Sequence, residues 1–228
     1  MSKEKFEHDE LDKVNEVLSS SEQFVEKYQK PLLVTVLIII LVVAGFLSVR
    51  HFYFQPREVK AQAAMYKGEI YFAKDSFELA LKGNGADFVG FEAIADDYSS
   101  TKAGNLAAAY AGICYYNLGK DAEALAYLKK FDGDDAFLSP NIEAMIGNCY
   151  ANMDQYDDAI KAFEKAAKKA DNEMASPIFL QKAATVAEKM GNYKKALDFY
   201  QKIKDEYSQS MIGRDIDKYI ERAKAHVK

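Results

Sequence analysis

Two cysteines, Cys114 and Cys149, are the only thiols in this 228-residue chain, and they lie 35 residues apart. A disulfide needs Cα atoms within about 7 Å, and a structural zinc needs about four ligands. The three histidines, His8, His51 and His226, are too scattered to complete such a set. Three pairs of adjacent carboxylates, Asp96-Asp97, Asp134-Asp135 and Asp157-Asp158, have the residue type for acid–base work. Each falls where a turn or a helix start is expected, and a helix dipole favours acids at its N-terminus. No glycine-rich loop follows a strand pattern, and no nucleophile and base share a periodic face. These residues point to capping and packing rather than catalysis, and neither a cofactor nor a metal is expected.

Any surface chemistry must then be positioned by the chain's larger elements. The first is the run Leu32 to Val49, 18 residues without a charge, whose only polar members are Thr35 and Ser48. As a helix it covers about 27 Å, close to a hydrocarbon core of about 30 Å. Lys27 and Lys30 precede it, Arg50 and His51 follow, and Phe46, Phe52, Tyr53 and Phe54 make an aromatic belt. A cleaved signal peptide would have a short basic leader and a small-residue cleavage site. Here the first 30 residues carry five Lys against eight Asp plus Glu, and Val49-Arg50-His51-Phe52-Tyr53 offers no small pair. The reading is an uncleaved transmembrane helix over 31–55, behind a leader over 1–30. In that leader Leu11, Val14, Val17 and Leu18, then Phe24, Val25 and Tyr28, mark two short amphipathic helices.

The net charge of −5 leaves no basic face for nucleic acid, and no polybasic run marks an anionic-lipid switch. Basic residues within 20 positions number three before the span (Lys13, Lys27, Lys30) and four after it (Arg50, Arg57, Lys60, Lys67). The positive-inside count therefore leaves the orientation open.

Beyond the span the chain repeats. Gly68-Glu69-Ile70, Gly119-Lys120-Asp121, Asp154-Gln155-Tyr156 and Gly191-Asn192-Tyr193 are each followed by a small residue: Ala73, Ala124, Ala159 and Ala196. Four further on comes a large one, Phe77, Leu128, Phe163 and Tyr200. Upstream, Gly112 and Tyr115 recur as Gly147 and Tyr150, and the resulting spacings are 51, 35 and 37 residues. Such a pattern makes helical hairpins: the small residue lets two helices approach, and the turn needs a residue that tolerates a left-handed backbone. One hairpin cannot bury its apolar face, so several stack into a solenoid. The two cysteines then occupy equivalent packing positions on neighbouring helices. The 51-residue spacing predicts an extra helix over 87–98. Thr101 and Ser210 are expected caps, as are the hydroxyls of Ser139-Pro140 and Ser176-Pro177. A last helix over 210–226 has Ile212, Ile216, Tyr219, Ile220 and Ala223 on one stripe and is expected to cap the stack.

The Gly–Tyr–Gly–Tyr–Ala–Phe–Ala series resembles the tetratricopeptide repeat, fullest in Gly147, Tyr150, Tyr156, Ala159, Phe163 and Ala166. The resemblance implies an all-α fold with repeats at about 57–82, 104–133, 139–171 and 176–205 within a domain over 57–228. It also implies a concave groove lined by first-helix positions. These map to Leu106, Ala109, Ile113, Tyr116 and Asn117, then Ala144, Asn148, Ala151 and Asn152, then Gln181, Thr185, Glu188 and Lys189. Amide side chains there suit extended polypeptide, because they pair with peptide backbone whatever its sequence. Asn148 and Lys182 alone do not complete the clamp by which some members of that family hold chaperone C-termini.

Leader, single span and hairpin stack together are similar to the single-pass ancillary Sec translocon subunits of bacteria, in Bacteroidota-like form. The segment Ser21 to Lys30 and the run Tyr98 to Tyr116 carry the likeness. It implies an inner-membrane protein with a periplasmic repeat domain, associated with the Sec translocon and a membrane-anchored chaperone. Two alternatives stay open: a repeat domain in the cytoplasm, and a scaffold for cell-wall synthesis or division.

Overall fold

The computed structural model describes residues 28–227, so the amphipathic leader segments before Tyr28 lie outside the described residues. All described secondary structure is helical, and the chain divides into two compact units, Met1–Pro56 and Arg57–Lys228.

In the first unit, helix α1 covers residues 28–49. Within the continuous helical stretch Tyr28–Phe72, the most apolar 18-residue window has a mean hydropathy of 3.1 and none of it is buried. It is long and apolar enough to cross a membrane. Its two polar side chains are satisfied inside the helix: Thr35 donates to the Pro31 carbonyl and Ser48 to the Ala44 carbonyl, both at 2.8 Å. Pro56 neither breaks nor restarts the helix. Lacking an N–H for the Phe52 carbonyl, it is preceded by a π-helical turn, Arg50–Phe54, that widens the ladder.

The second unit is a stack of hairpins. It comprises α2 (Gln55–Phe72), α3 (Phe77–Lys82), α4 (Phe91–Asp97), α5 (Lys102–Asn117), α6 (Asp121–Leu128) and α7 (Leu138–Asn152). There follow α8 (Tyr156–Ala170), α9 (Ser176–Lys189), α10 (Tyr193–Glu206), α11 (Met211–Arg214) and α12 (Asp217–His226). From α5 to α10 each helix packs on the next, and α12 packs on α10. Small-against-large contacts close the α5–α6 and α7–α8 pairs. A Cβ added at Gly112 would stand 2.6 Å from Leu128 Cγ, and one at Gly147 would stand 2.8 Å from the Phe163 ring. Ala124, Ala159 and Ala196 are fully buried on the second helices.

The first repeat is phased differently from the spacing argument. Gly68 does not turn the chain; it is buried inside α2, where an added Cβ would meet Phe88 and Phe91 at 2.6–2.7 Å. The turn comes at Asp75, with φ +55°, matching Gly119 (+72°), Asp154 (+58°) and Gly191 (+75°). One bond recurs at all four turns: Ser76 N to Tyr71 O, Lys120 N to Tyr115 O, Gln155 N to Tyr150 O, Asn192 N to Ala187 O, at 2.9–3.0 Å. Gly68 and Tyr71 are thus the counterparts of Gly112 and Tyr115, the packed alanine is Ala80 rather than Ala73, and the spacing is 44 rather than 51. Asp75, like Asp154, carries the left-handed turn that glycine carries at Gly119 and Gly191, and the nearby Gly68 imitated the turn signal and concealed the register. Residues 83–90 are irregular, so the extra helix is only Phe91–Asp97, beside the six-residue α3.

Capping follows the sequence at two ends and departs from it at two others. The hydroxyls of Thr101 and Ser210 accept from Gly104 N and Gly213 N, at 3.0 and 2.8 Å. Ser139 and Ser176 are not caps. Asp135 takes the α7 amides of Leu138 and Ser139, and Asn172 takes Met174 N and Ala175 N before α9. Both serines are buried and bond backward, Ser139 to Asp135 and Ser176 to the Ala167 carbonyl. The last helix divides into α11 and α12, with Ile216, Ile220 and Ala223 buried as its stripe requires.

Candidate functional site

First helices α5, α7 and α9 carry the positions assigned to the groove, and their environments differ. Ala109 is 1% exposed, so it packs the core and offers no surface, contrary to its assignment. Ile113 and Tyr116 are half-buried on α5, whereas Asn117 is exposed and donates to its own helix at the Ile113 carbonyl (2.8 Å). Asn152 donates to Asp121 Oδ1 at 3.0 Å, tying α7 to α6. Asn148 Oδ1 accepts from Lys182 Nζ at 3.0 Å, joining α7 to α9. Burial holds the Lys182 ammonium below the usual lysine range, and its Nζ lies 5.6 Å over the Phe163 ring.

On α9, Gln181 is half-buried, and its carbonyl accepts the hydroxyl of exposed Thr185 at 2.9 Å. Glu188 turns toward the stack's end and pairs with Arg222 of α12 at 2.6 Å. Lys189 reaches back to Asp154 at 3.6 Å and lies 4.8 Å over the Tyr156 ring. These two charges are committed to holding helices together, which their mapping to a groove did not anticipate. Ile113, Tyr116, Gln181 and Thr185 are partly or fully exposed, while Asn148 and Lys182 bond each other across α7 and α9.

The two thiols are free and buried, and burial pushes both up to about 12. Among the described residues no three His, Cys, Asp or Glu side chains form a group that could hold a metal. The carboxylate pairs have structural partners. Asp96 accepts from Lys130 (2.7 Å) and the Tyr127 hydroxyl (3.0 Å), Asp135 caps α7, and Asp157-Asp158 occupy the first turn of α8.

A second concavity escaped the sequence reading. Between α6 and α8, over the floor of α7, lies a cleft of about 310 Å³. Glu143 in its floor is 8% exposed and accepts from Lys165 (2.6 Å) and Lys169 (3.2 Å). Lys129 lies on its rim, 5.0 Å over the Tyr150 ring. The 35-residue echo of Tyr115 and Lys130 in Tyr150 and Lys165 was legible, but the shortness of α6 that opens the cleft was not.

Comparison with curated proteins returns no match. Comparison with protein families finds the tetratricopeptide repeat in two versions, one over residues 144–173 and the other over 110–132 and 180–210. These segments coincide with α7–α8, with the second half of α5 through α6, and with α9–α10. Stacked helix pairs of this kind present side chains to other polypeptides, so the repeat unit is a protein-interaction module. Hairpin geometry, small-against-large packing and the matched segments converge: the described residues, whose secondary structure is all helical, carry tetratricopeptide repeats over 110–132, 144–173 and 180–210.

Proposed function

We propose that the chain is a single-pass membrane protein whose repeat domain receives exported polypeptides beside the Sec translocon, acting as a chaperone-like accessory on the periplasmic side. Membrane anchoring is supported by the fully exposed apolar helix and by the way Thr35 and Ser48 bond back into it, which is what a lipid environment requires. Handling of other chains is supported by the repeats themselves. Half-buried Ile113 and Tyr116 on α5, together with the polar Asn148–Lys182 pair of α7 and α9, suit extended segments better than one fixed sequence. The observation that carries the reading is the combination of an exposed apolar helix with a hairpin stack in one short chain.

In-membrane crosslinking followed by mass spectrometry tests it. Translocon components and exported chains are the expected catch, and recovery of cell-wall synthases without any translocon component would refute the assignment. Replacing Tyr116 and Asn148 together with Glu should reduce that catch while leaving helicity unchanged, since a carboxylate at 148 can still pair with Lys182. A reporter fused to the C-terminus decides orientation: periplasmic phosphatase activity is expected, and cytoplasmic fluorescence without it would remove the export role.

A further inference from the structure

We propose that the cleft between α6 and α8 takes up a short acidic amphipathic helix from a partner protein, held as α4 is held one repeat earlier. This lies beyond the groove, on the side of the stack built by the second helices. Two of the four second helices stop early: α3 has 6 residues and α6 has 8, against 15 for α8 and 14 for α10. Each missing half leaves a face of the next hairpin without a neighbour.

Beyond α3 the vacancy is filled by the chain itself. Helix α4 turns Phe91, Ile94 and Ala95 inward, and its two acids, one helical turn apart, meet a prepared surface. Glu92 accepts from the Tyr115 hydroxyl at 2.9 Å and pairs with Lys82. Asp96 accepts from Lys130 and Tyr127. Beyond α6 part of that surface recurs, with Ala162 where Tyr127 stands one repeat earlier and with Glu143 already accepting from Lys165 and Lys169, and no helix of the described residues lies over it. Tyr150 and Lys165 stand 35 residues after Tyr115 and Lys130. Lys129 lies 5.0 Å over the Tyr150 ring, as Lys82 lies 5.6 Å over that of Tyr115. The Tyr150 hydroxyl has no hydrogen-bond partner among the described residues, where its counterpart has Glu92.

Charge selects the occupant. The cleft is lined by Lys129, Lys161, Lys165 and Lys169 against Glu143 and Asp158, an excess of two positive charges, over an apolar floor that includes Ile142, Ile146 and Ala162. An apolar stripe flanked by acids four residues apart satisfies both features, and α4 is an example of such a segment within this molecule.

The test uses the full-length protein in nanodiscs and a fluorescent, helix-stapled peptide with the sequence of Gly90–Tyr98. Anisotropy should show saturable binding that weakens about tenfold when the peptide's Glu and first Asp become Gln and Asn, the equivalent of losing two partly exposed ion pairs. The variant Lys129→Gln/Lys165→Gln should weaken it similarly, and Tyr150→Phe by a few-fold, while the Tyr116→Glu/Asn148→Glu variant should bind unchanged. Because the peptide variants leave the protein intact, a folding defect cannot imitate the result. Absence of saturation, equal binding of the neutral peptide, equal binding of unstructured poly-glutamate, or loss of binding in the groove variant would each overturn the proposal.

Discussion

Gly112→Ala offers a sharp test of the hairpin packing, because two opposing effects can be weighed from the geometry. In the middle of α5, alanine is favoured over glycine by about 1 kcal/mol through helix propensity alone. The added methyl, however, would stand 2.6 Å from Leu128 Cγ, 2.7 Å from its Cδ2 and 2.9 Å from its backbone nitrogen. Rotating Leu128 relieves the first two contacts and not the third, so α5 and α6 must separate by about half an ångström. Overpacking of this kind costs about 1–3 kcal/mol, and here the upper end applies because backbone has to move and neighbouring contacts loosen with it. The net expectation is a loss of about 1–2 kcal/mol. Gly147→Ala should cost less, since the three atoms nearest its Cβ all belong to the Phe163 ring, at 2.8–3.0 Å, and none to backbone. Gly119→Ala is the control: nothing lies within 4 Å of its Cβ, and only the positive φ of +72° opposes it, at about 1 kcal/mol. Urea unfolding of the full chain in nanodiscs, followed by helical circular dichroism, ranks the three. A Gly112→Ala protein as stable as the parent would refute close approach as the reason for glycine there.

Two further predictions concern titration. Because burial raises both thiols to about 12, Cys114 and Cys149 should resist alkylation at pH 8 in the folded protein and react within minutes in denaturant; native labelling at either would contradict the buried placement. On the acid side, the hydrogen bond from Lys130, joined by that from Tyr127, holds the Asp96 carboxyl below the usual carboxylate range against opposing desolvation. A depressed folded value contributes stability above the unfolded value of about 3.9 and loses it as pH falls through the folded one. The junction of the first two repeats should therefore weaken below about pH 4, and Asp96→Asn should flatten that part of the melting-temperature curve between pH 5 and pH 2. An unchanged curve would show the Lys130–Asp96 pair to be energetically silent.

Periodicity alone was enough to establish helical hairpins, their phase from Gly112 onward, the equivalence of the two cysteines and the apolar helix, since each depends on residue size and polarity at fixed intervals. Thr101 and Ser210 were equally legible, because an N-cap is a local bond between a hydroxyl and an amide three residues on. The first repeat was not, since Asp75 takes a backbone conformation ordinarily signalled by glycine, and a coincidental Gly68–Ala73–Phe77 series imitated the pattern seven residues upstream. Groove membership was only partly legible: sequence places Ala109, Glu188 and Lys189 on first helices, but which neighbour each side chain meets depends on the lateral offset between repeats. That offset buries Ala109 and draws Glu188 to Arg222 and Lys189 to Asp154. The cleft beside α6 belongs wholly to tertiary structure, because it exists only where one helix ends early and its neighbours do not. Composition and spacing decide which elements form and which faces they bury; the lengths at which helices stop, and the distances between their charges once packed, decide what surface remains for another chain.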